Sequence, residues 1–347
     1  MDKKTTVNVS IIIKALNEER RIEAAIQSAL IAVNMVGGEV VLADSCSTDR
    51  TVERALVYPI RIVQLRHAGE RCCGVGPQLG YQHSFGEFVY ILDGDMEMLP
   101  GFLPAAIQFL EKNTEVAGVG GQVAEMNTTG LEYIARMERG AAHMGHGEVD
   151  RLDMGGLYRR SAVDQTGYFS DRNLHSYEEL DLGVRLRQNG WKLWRIDLAA
   201  VQHHGHDVEP YTLLVKRWRS LYICGSGEIV RAAWGSGRLG LVLACAHELK
   251  LYGSVLLVVA ALCLTLFMPM SIMAKAIVFV LPILLAFLAM AWRKKSATKA
   301  VYSLVAWIFN TAGLLRGLLR VRRQPREHVA SLLLKDIVTP VDSPSRG

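Results

Sequence analysis

Apolar positions along the first half of the chain switch between two periods. Residues 7–13 begin with alternation and become continuously apolar, which predicts a strand. Apolar residues then recur at Ile22, Ala25, Ile26, Ala29, Leu30 and Val33, the spacing of an amphipathic helix. Apolar runs at 39–43, 60–63 and 87–92 predict further strands, and 100–111 a helix with Pro100 near its first turn. A glycine-interrupted strand is expected at 116–123. Residues 70–86 are Gly-rich and weakly helical, 131–139 read as helical, and 155–160 as a strand end. A strong helix over 176–188 is closed by Asn189-Gly190, and Ser176 and Glu179 have capping-box spacing. This alternation predicts an α/β fold with a Rossmann-like, mostly parallel sheet and helices on both faces.

The pattern changes in the second half. Residues 252–270 carry no charge and 271–292 carry only Lys275, so each is about long enough to cross a bilayer. A short link containing Pro269 joins them into a transmembrane helical hairpin. Lys250 precedes it and Arg293-Lys294-Lys295 follow it, which puts both ends in the cytoplasm. A third apolar stretch, 301–319, contains Asn310 and Arg316 and precedes a basic run. A span there would export that run, so a helix lying in the inner interface is expected, with a third span as the alternative. The expected domains are an α/β domain at 1–215, interfacial helices at 216–251, the hairpin at 252–292, a basic membrane-interface segment at 293–337 and a disordered tail at 338–347.

Composition sharpens this picture. The hydrophobic fraction is 50% and mean hydropathy is +0.18; the excess is concentrated in 252–292. The net charge is +5, with clusters at 293–295 and at Arg316, Arg320, Arg322, Arg323 and Arg326. Basic clusters beside apolar segments point to inner-membrane lipid rather than nucleic acid, and no aromatic–basic interleaving of a single-strand binder is visible. The six cysteines form no C-x-x-C pair, so free thiols in a reducing compartment are expected and a zinc site is not. Residues 1–6 are polar, without the apolar core of a signal peptide, so the α/β part is expected to face the cytoplasm.

The chemistry starts at Asp93-Gly94-Asp95, at the end of the strand 87–92. Open α/β sheets present their ligands at the carboxyl edge. Two carboxylates on a Gly-hinged turn there suit Mg²⁺ or Mn²⁺, which prefer oxygen ligands and share them with a diphosphate. By itself the tripeptide reads rather as an Asp-Gly turn capping a strand.

Three further elements give it weight: Ser10-Ile-Ile-Ile with Asn17-Glu18-Glu19, Asp44-Ser45-Cys46-Ser47-Thr48-Asp49, and Glu178-Glu179-Leu180-Asp181-Leu182. Over roughly residues 7–220 this set resembles family 2 glycosyltransferases, inverting enzymes of the GT-A fold that use nucleotide-diphospho-sugars. The hairpin after the catalytic domain resembles the membrane-attached bacterial members. The resemblance implies that Glu18, Asp44 and Asp93 contact the nucleotide and that Asp95, with Asp93, holds the metal. It implies a carboxylate base at Glu179, with Glu178 as the alternative. The family pattern there is Glu-Asp, so Glu179 is a departure that moves the carboxylate outward by ~1.5 Å. Asp181, His204, Arg217 and Trp218 are placed toward acceptor or diphosphate. Arg217-Trp218 resembles the end of a Gln-x-x-Arg-Trp motif whose glutamine position is Leu214 here. The implied acceptor is a hydroxyl of a lipid-linked or growing glycan at the inner membrane. A polyprenyl-phosphate acceptor, or an inactive scaffold of the same fold, are the alternatives.

Overall fold

The structure, a computed structural model, describes residues 8–127, 142–205 and 208–337. The helix expected at 131–139, His206 and the tail from 338 lie outside those residues. The chain divides into an α/β unit (1–174, 178–208 and 322–347) and a helical unit (175–177 and 209–321).

The α/β unit opens with β1 (Val9–Ala15), α1 (Ile22–Val36), β2 (Gly38–Asp44), α2 (Thr51–Ala55), β3 (Arg61–Leu65), α3 (Val75–Gln82) and β4 (Phe88–Asp93). It continues with β5 (Met96–Met98), α4 (Phe102–Lys112), β6 (Val116–Glu125), β7 (Gly147–Val149), β8 (Gly156–Arg159) and α5 (Arg160–Thr166). Then come α6 (Glu178–Gln188) and β9 (Lys192–His203), and later β10 (Ser331–Lys335). One sheet runs β10-β3-β2-β1-β4-β8-β6-β9-β5, with β7 paired to β9. Strands β3, β2, β1 and β4 are parallel, as the alternation predicts. The other half is mixed, because β8 enters antiparallel between β4 and β6, and β5 and β7 are antiparallel to β9. The short strand β5, directly after the Asp-Gly-Asp turn, has no apolar run long enough to announce it.

Strand β1 carries three apolar residues in succession, Ile11, Ile12 and Ile13, because both its faces are covered there. Ile11 and Ile13 pack with Ile22, Ile26 and Leu42 on one side, while Ile12 packs with Val41, Val75 and Leu79 on the other. The glycines of 70–86 let α3 lie directly on this strand: a Cβ at Gly80 would meet Ile12 Cγ2 at 2.2 Å. The expected capping box at 176–179 is not formed, since Ser176 Oγ donates to the Tyr222 carbonyl at 2.9 Å.

The segment 322–337 differs from the expected basic interfacial helix. It contains no helix: a turn at residues 325–327 leads to β10, which pairs antiparallel with β3. Its charges are taken up within the α/β unit, where Arg322 pairs with Asp171, Arg323 with Glu70 at 2.7 Å, and Asp336 with Arg61 at 2.8 Å. A run of arginines after an apolar stretch reads as membrane-facing in sequence; here most of its partners are acids far away in the chain.

The helical unit contains α7 (Pro210–Arg219), α8 (Gly225–Ala233), α9 (Leu239–Cys245), α10 (His247–Leu266), α11 (Ile272–Lys294) and α12 (Ala297–Leu319). Three of these, α10, α11 and α12, are long and apolar enough to cross a membrane, with mean hydropathies of 2.1, 2.6 and 1.2. The third stretch is therefore a helix as long as the second, 23 residues. It differs in packing: 22% of its most apolar window is buried, against 6% for α10 and 0% for α11.

Candidate active site

The parallel register of β1 sets the site. Ala15 lies opposite Asp44 on one side, and Lys14 lies opposite Asp93 on the other. The strand ends at a turn whose Asn17 Oδ1 accepts from the Thr48 amide at 2.8 Å, and whose Glu18 amide donates to Thr51 Oγ1 at 2.8 Å. The turns after β1 and β2 are thus stitched together. Asn17 and Cys46 both take left-handed backbone there, φ 60° and 59°. Such conformations are sparsely populated outside glycine and concentrate at functional sites.

Asp44 is fully buried. Its Oδ2 accepts from the Ser47 amide at 3.0 Å and from Gln64 Nε2 at 2.8 Å. Its Oδ1 is buried with no hydrogen-bond partner among the described residues. An orphaned buried carboxylate oxygen is costly, and a ligand N–H would relieve it.

Glu18, Asp93 and Asp95 gather at the next strand end. Gly94 is required between the two aspartates, because a Cβ there would lie 2.9 Å from Glu18 Cγ. Burial, then the charges of Asp95 and Asp93, push the Glu18 carboxyl up to about 7. This crowding of oxygen donors fits a hard divalent cation, which would relieve the repulsion. Among the described residues no three such groups converge tightly enough to hold an ion unaided. Mg²⁺ and Mn²⁺ usually take one or two carboxylates and complete their shell with substrate phosphate and water, so the donor set fits a cation shared with a ligand.

The histidine facing this cluster is His203, not the expected His204. His203 Nε2 lies 3.4 Å from Asp95 Oδ2, and its Nδ1 lies 2.8 Å from Glu125 Oε2. Burial alone would lower its pKa, but its bonds to Asp95 and Glu125 raise it to about 9. His204 follows the end of β9 and turns elsewhere, its Nε2 2.9 Å from Glu97, and only its amide reaches the Asp95 carbonyl.

Glu178 and Glu179 open α6 and line one cavity with Lys14, Asp93, Tyr158 and Phe169. Lys14 Nζ lies 3.0 Å from Asp93 Oδ1 and 3.5 Å from an Oε1 of each glutamate. Burial would lower the lysine's pKa, but Asp93, Glu179 and Glu178 together hold its ammonium well above the ordinary value. One ammonium does not neutralise three carboxylates. Burial and the Glu178 charge accordingly raise Glu179 well above the usual carboxyl range. In the sequence Lys14 is one of two polar residues, with Ser10, in an otherwise apolar strand. Its register opposite Asp93 is visible only in the paired sheet.

The remaining candidates have the following surroundings. Asp181 does not face the cavity: it is buried against Arg185 Nε at 2.8 Å, and Arg185 bonds the carbonyls of Tyr168 and Phe169. It therefore braces the 166–169 loop. In the helical unit, Trp218 stacks edge-on with Phe309 and receives the Arg316 guanidinium 5.0 Å from its ring centre. Arg217 lies 5.0 Å from the Tyr222 ring centre.

Residues 10–167 match the family described as glycosyl transferase family 2. Glucomannan 4-beta-mannosyltransferase 2 of Arabidopsis thaliana is 26% identical over 156 residues, 42% of this chain and 28% of that protein. Probable glucomannan 4-beta-mannosyltransferase 7 of Oryza sativa subsp. japonica is 28% identical over 156 residues, 42% of this chain and 26% of that protein. The chain thus spans under a third of the length of these relatives. Among solved structures, the mannosyltransferase PcManGT from Pyrobaculum calidifontis superimposes with a TM-score of 0.57 at 17% identity, covering 92% of this chain and 89% of that one. That likeness covers the fold, including the segment after the α/β unit.

Proposed function

We infer, from the family 2 glycosyltransferase domain that this chain carries at residues 10–167, that it moves a sugar, with inversion, from a nucleotide-diphospho-sugar to a hydroxyl of a lipid-linked or growing glycan. The observation that carries this reading is the single cavity shared by Asp93, from the nucleotide edge of the sheet, and the glutamate pair of α6. It brings a leaving-group side and a base side within reach of one reacting carbon.

In this mechanism the orphaned Asp44 Oδ1 accepts an N–H of the nucleotide base, and Asp93 and Glu18 sit beside the ribose and diphosphate. Asp95, with Asp93, would hold Mg²⁺ or Mn²⁺, which supplies positive charge against the diphosphate as it leaves. Glu179 takes the acceptor proton; its raised pKa brings it closer to the working pH of a general base. We assign the role to Glu179 over Glu178 because Glu179 is the more open, 29% against 8% side-chain exposure. The Pyrobaculum protein is described with GDP-Man and Mn²⁺, so GDP- and UDP-linked hexoses are the donors to screen first.

The membrane arrangement we propose is two crossings, α10 and α11, with the α/β unit at the cytoplasmic face of the inner membrane. The chain leaves the α/β unit after residue 208 and re-enters it at 322, where β10 joins the sheet. Departure and return on one side require an even number of crossings. The least apolar and most buried of the three helices, α12, is the one that stays.

The test is sugar transfer and nucleotide release by the detergent-purified full chain, with Mn²⁺ or Mg²⁺ and a lipid extract as acceptor. Metal-dependent release from one donor, lost in Asp95→Ala, supports the reading. Release from none, with no nucleotide binding by calorimetry, overturns it.

A further inference from the structure

The residue immediately ahead of the glutamate pair has an unusual backbone. Tyr177 has φ 69°, a left-handed conformation sparsely populated by aromatic residues and kept only where the surroundings over-determine it. The surroundings do so with a set of bonds on three consecutive residues. His175 donates its amide to Glu228 Oε2 at 2.9 Å and sets its Nδ1 2.9 Å from Glu228 Oε1. Ser176 Oγ donates to the Tyr222 carbonyl at 2.9 Å, and Tyr177 Oη donates to Glu248 Oε1 at 2.8 Å. Every partner belongs to the helical unit, and His175–Tyr177 cluster with that unit rather than with the sheet. Glu228 is further fixed by Arg320, 3.1 Å away. Glu248 stands in the first turn of α10, one of the three helices long and apolar enough to cross a membrane.

One peptide bond beyond Tyr177, Glu178 begins α6. The dihedrals of Tyr177 therefore set the direction in which α6 starts, and with it the aim of the Glu178 and Glu179 carboxylates. We propose that Tyr177 is a positioning residue for the transfer step, held by Glu248 at the entry of a membrane helix. This deepens the proposed function and rests on it. An acid in the first turn of α10 would be favourable to the helix dipole by itself. That alone would not call for a hydroxyl at 2.8 Å on a strained residue next to the base.

The experiment uses the full chain in detergent or lipid nanodiscs, with the donor identified by the screen above. Tyr177→Phe removes only the hydroxyl. Its kcat falls about tenfold or more, because a misplaced base loses rate steeply, while donor KM and nucleotide affinity stay within roughly twofold. Glu248→Ala does the same, the double variant is no worse than either single one, and Glu248→Gln, which still accepts from the tyrosine, restores kcat. Thermal unfolding with nucleotide bound separates a positioning loss from a folding loss. An active parent chain with unchanged kcat in Tyr177→Phe overturns the inference alone. So does a kcat loss matched by an equal loss of nucleotide affinity and of thermal midpoint. A parent chain with no transfer from any donor overturns the proposed function, and this inference with it.

Discussion

Lys14 Nζ lies 3.0 Å from Asp93 Oδ1 because β1 and β4 run parallel with these two residues directly opposite each other. The same ammonium reaches the two glutamates of α6, whose start is more than 160 residues further along the chain. It is thus a cation common to the Asp93 side and the glutamate side of the cavity. Replacing it by methionine keeps the length of the side chain and removes the charge. Glu179 then loses the neighbour that lowers its pKa, so the acidic limb of the kcat–pH profile moves to higher pH. A Lys14→Met profile superimposable on the parent's would remove the lysine from the catalytic argument.

The parent profile has a defined sign. A base must be ionised to accept a proton, so kcat rises with pH through the pKa of Glu179. Burial and Glu178 raise that pKa, so the limb lies above the ordinary glutamate value of about 4.3. Glu179→Gln lowers kcat by about 10²–10⁴-fold with little change in donor affinity. Glu178→Gln removes the charge that raises Glu179, so its limb shifts to lower pH while activity survives. If Glu178→Gln instead abolishes transfer and Glu179→Gln does not, the two roles are exchanged. If neither matters, an already ionised phosphate acceptor that needs no base is the better account.

Asp44 offers a test at the other end of the donor. Its Oδ2 is satisfied by Ser47 and Gln64, while Oδ1 is buried and unpaired among the described residues. Asp44→Ala gives up a hydrogen bond to a charged acceptor, on the order of 1.5–3 kcal/mol, so nucleotide affinity falls by roughly 10- to 100-fold. Asp44→Asn keeps one acceptor oxygen and loses less. Calorimetry with UDP and GDP reads both effects without any turnover, and an unchanged affinity in Asp44→Ala would take the base-binding role from this residue.

The parallel half of the sheet was readable because it is buried on both faces: continuous runs such as Ile11-Ile12-Ile13 end in acids at the edge where ligands bind. The carboxylates Glu18, Asp44, Asp93, Asp95, Glu178 and Glu179 stand at or near such strand and helix ends, and the resemblance to family 2 glycosyltransferases is what singles them out. The residues that compensate them do not. Lys14 and Glu125 are polar residues near the ends of largely apolar strands, and their meaning depends on which strand lies alongside. His203 and His204 are adjacent in sequence, and only the way β9 ends, at His203, decides which one faces Asp95. Arg322 and Arg323 read as lipid-facing because sequence shows their apolar neighbours and not Asp171 and Glu70. Asp181, one turn before Arg185, reads as a third active-site acid, yet its i,i+4 partner turns it into the core.

Membrane topology gives the last prediction. Among the described residues hydropathy alone counts three candidate spans, and three crossings would leave residues 320–337 on the opposite side from β3. Strand β10 hydrogen-bonds to β3 from Ser331 to Lys335, so that outcome is incompatible with the sheet as it stands. Single cysteines at Ser271, between α10 and α11, and at Gln324, after α12, distinguish the arrangements. With two crossings, an impermeant maleimide applied to intact cells labels Ser271→Cys above the level of the parent chain. It labels Gln324→Cys only after the cells are opened. Labelling of Gln324→Cys in intact cells means that α12 crosses, and then β10 cannot be paired with β3 in the membrane-bound protein. Asp336→Lys adds an independent reading from the folded side. It breaks the ion pair that Arg61 makes with the returning segment. With two crossings it lowers the thermal midpoint relative to the parent chain, and an unchanged midpoint means that the returning segment is not docked on Arg61 in the membrane-bound protein.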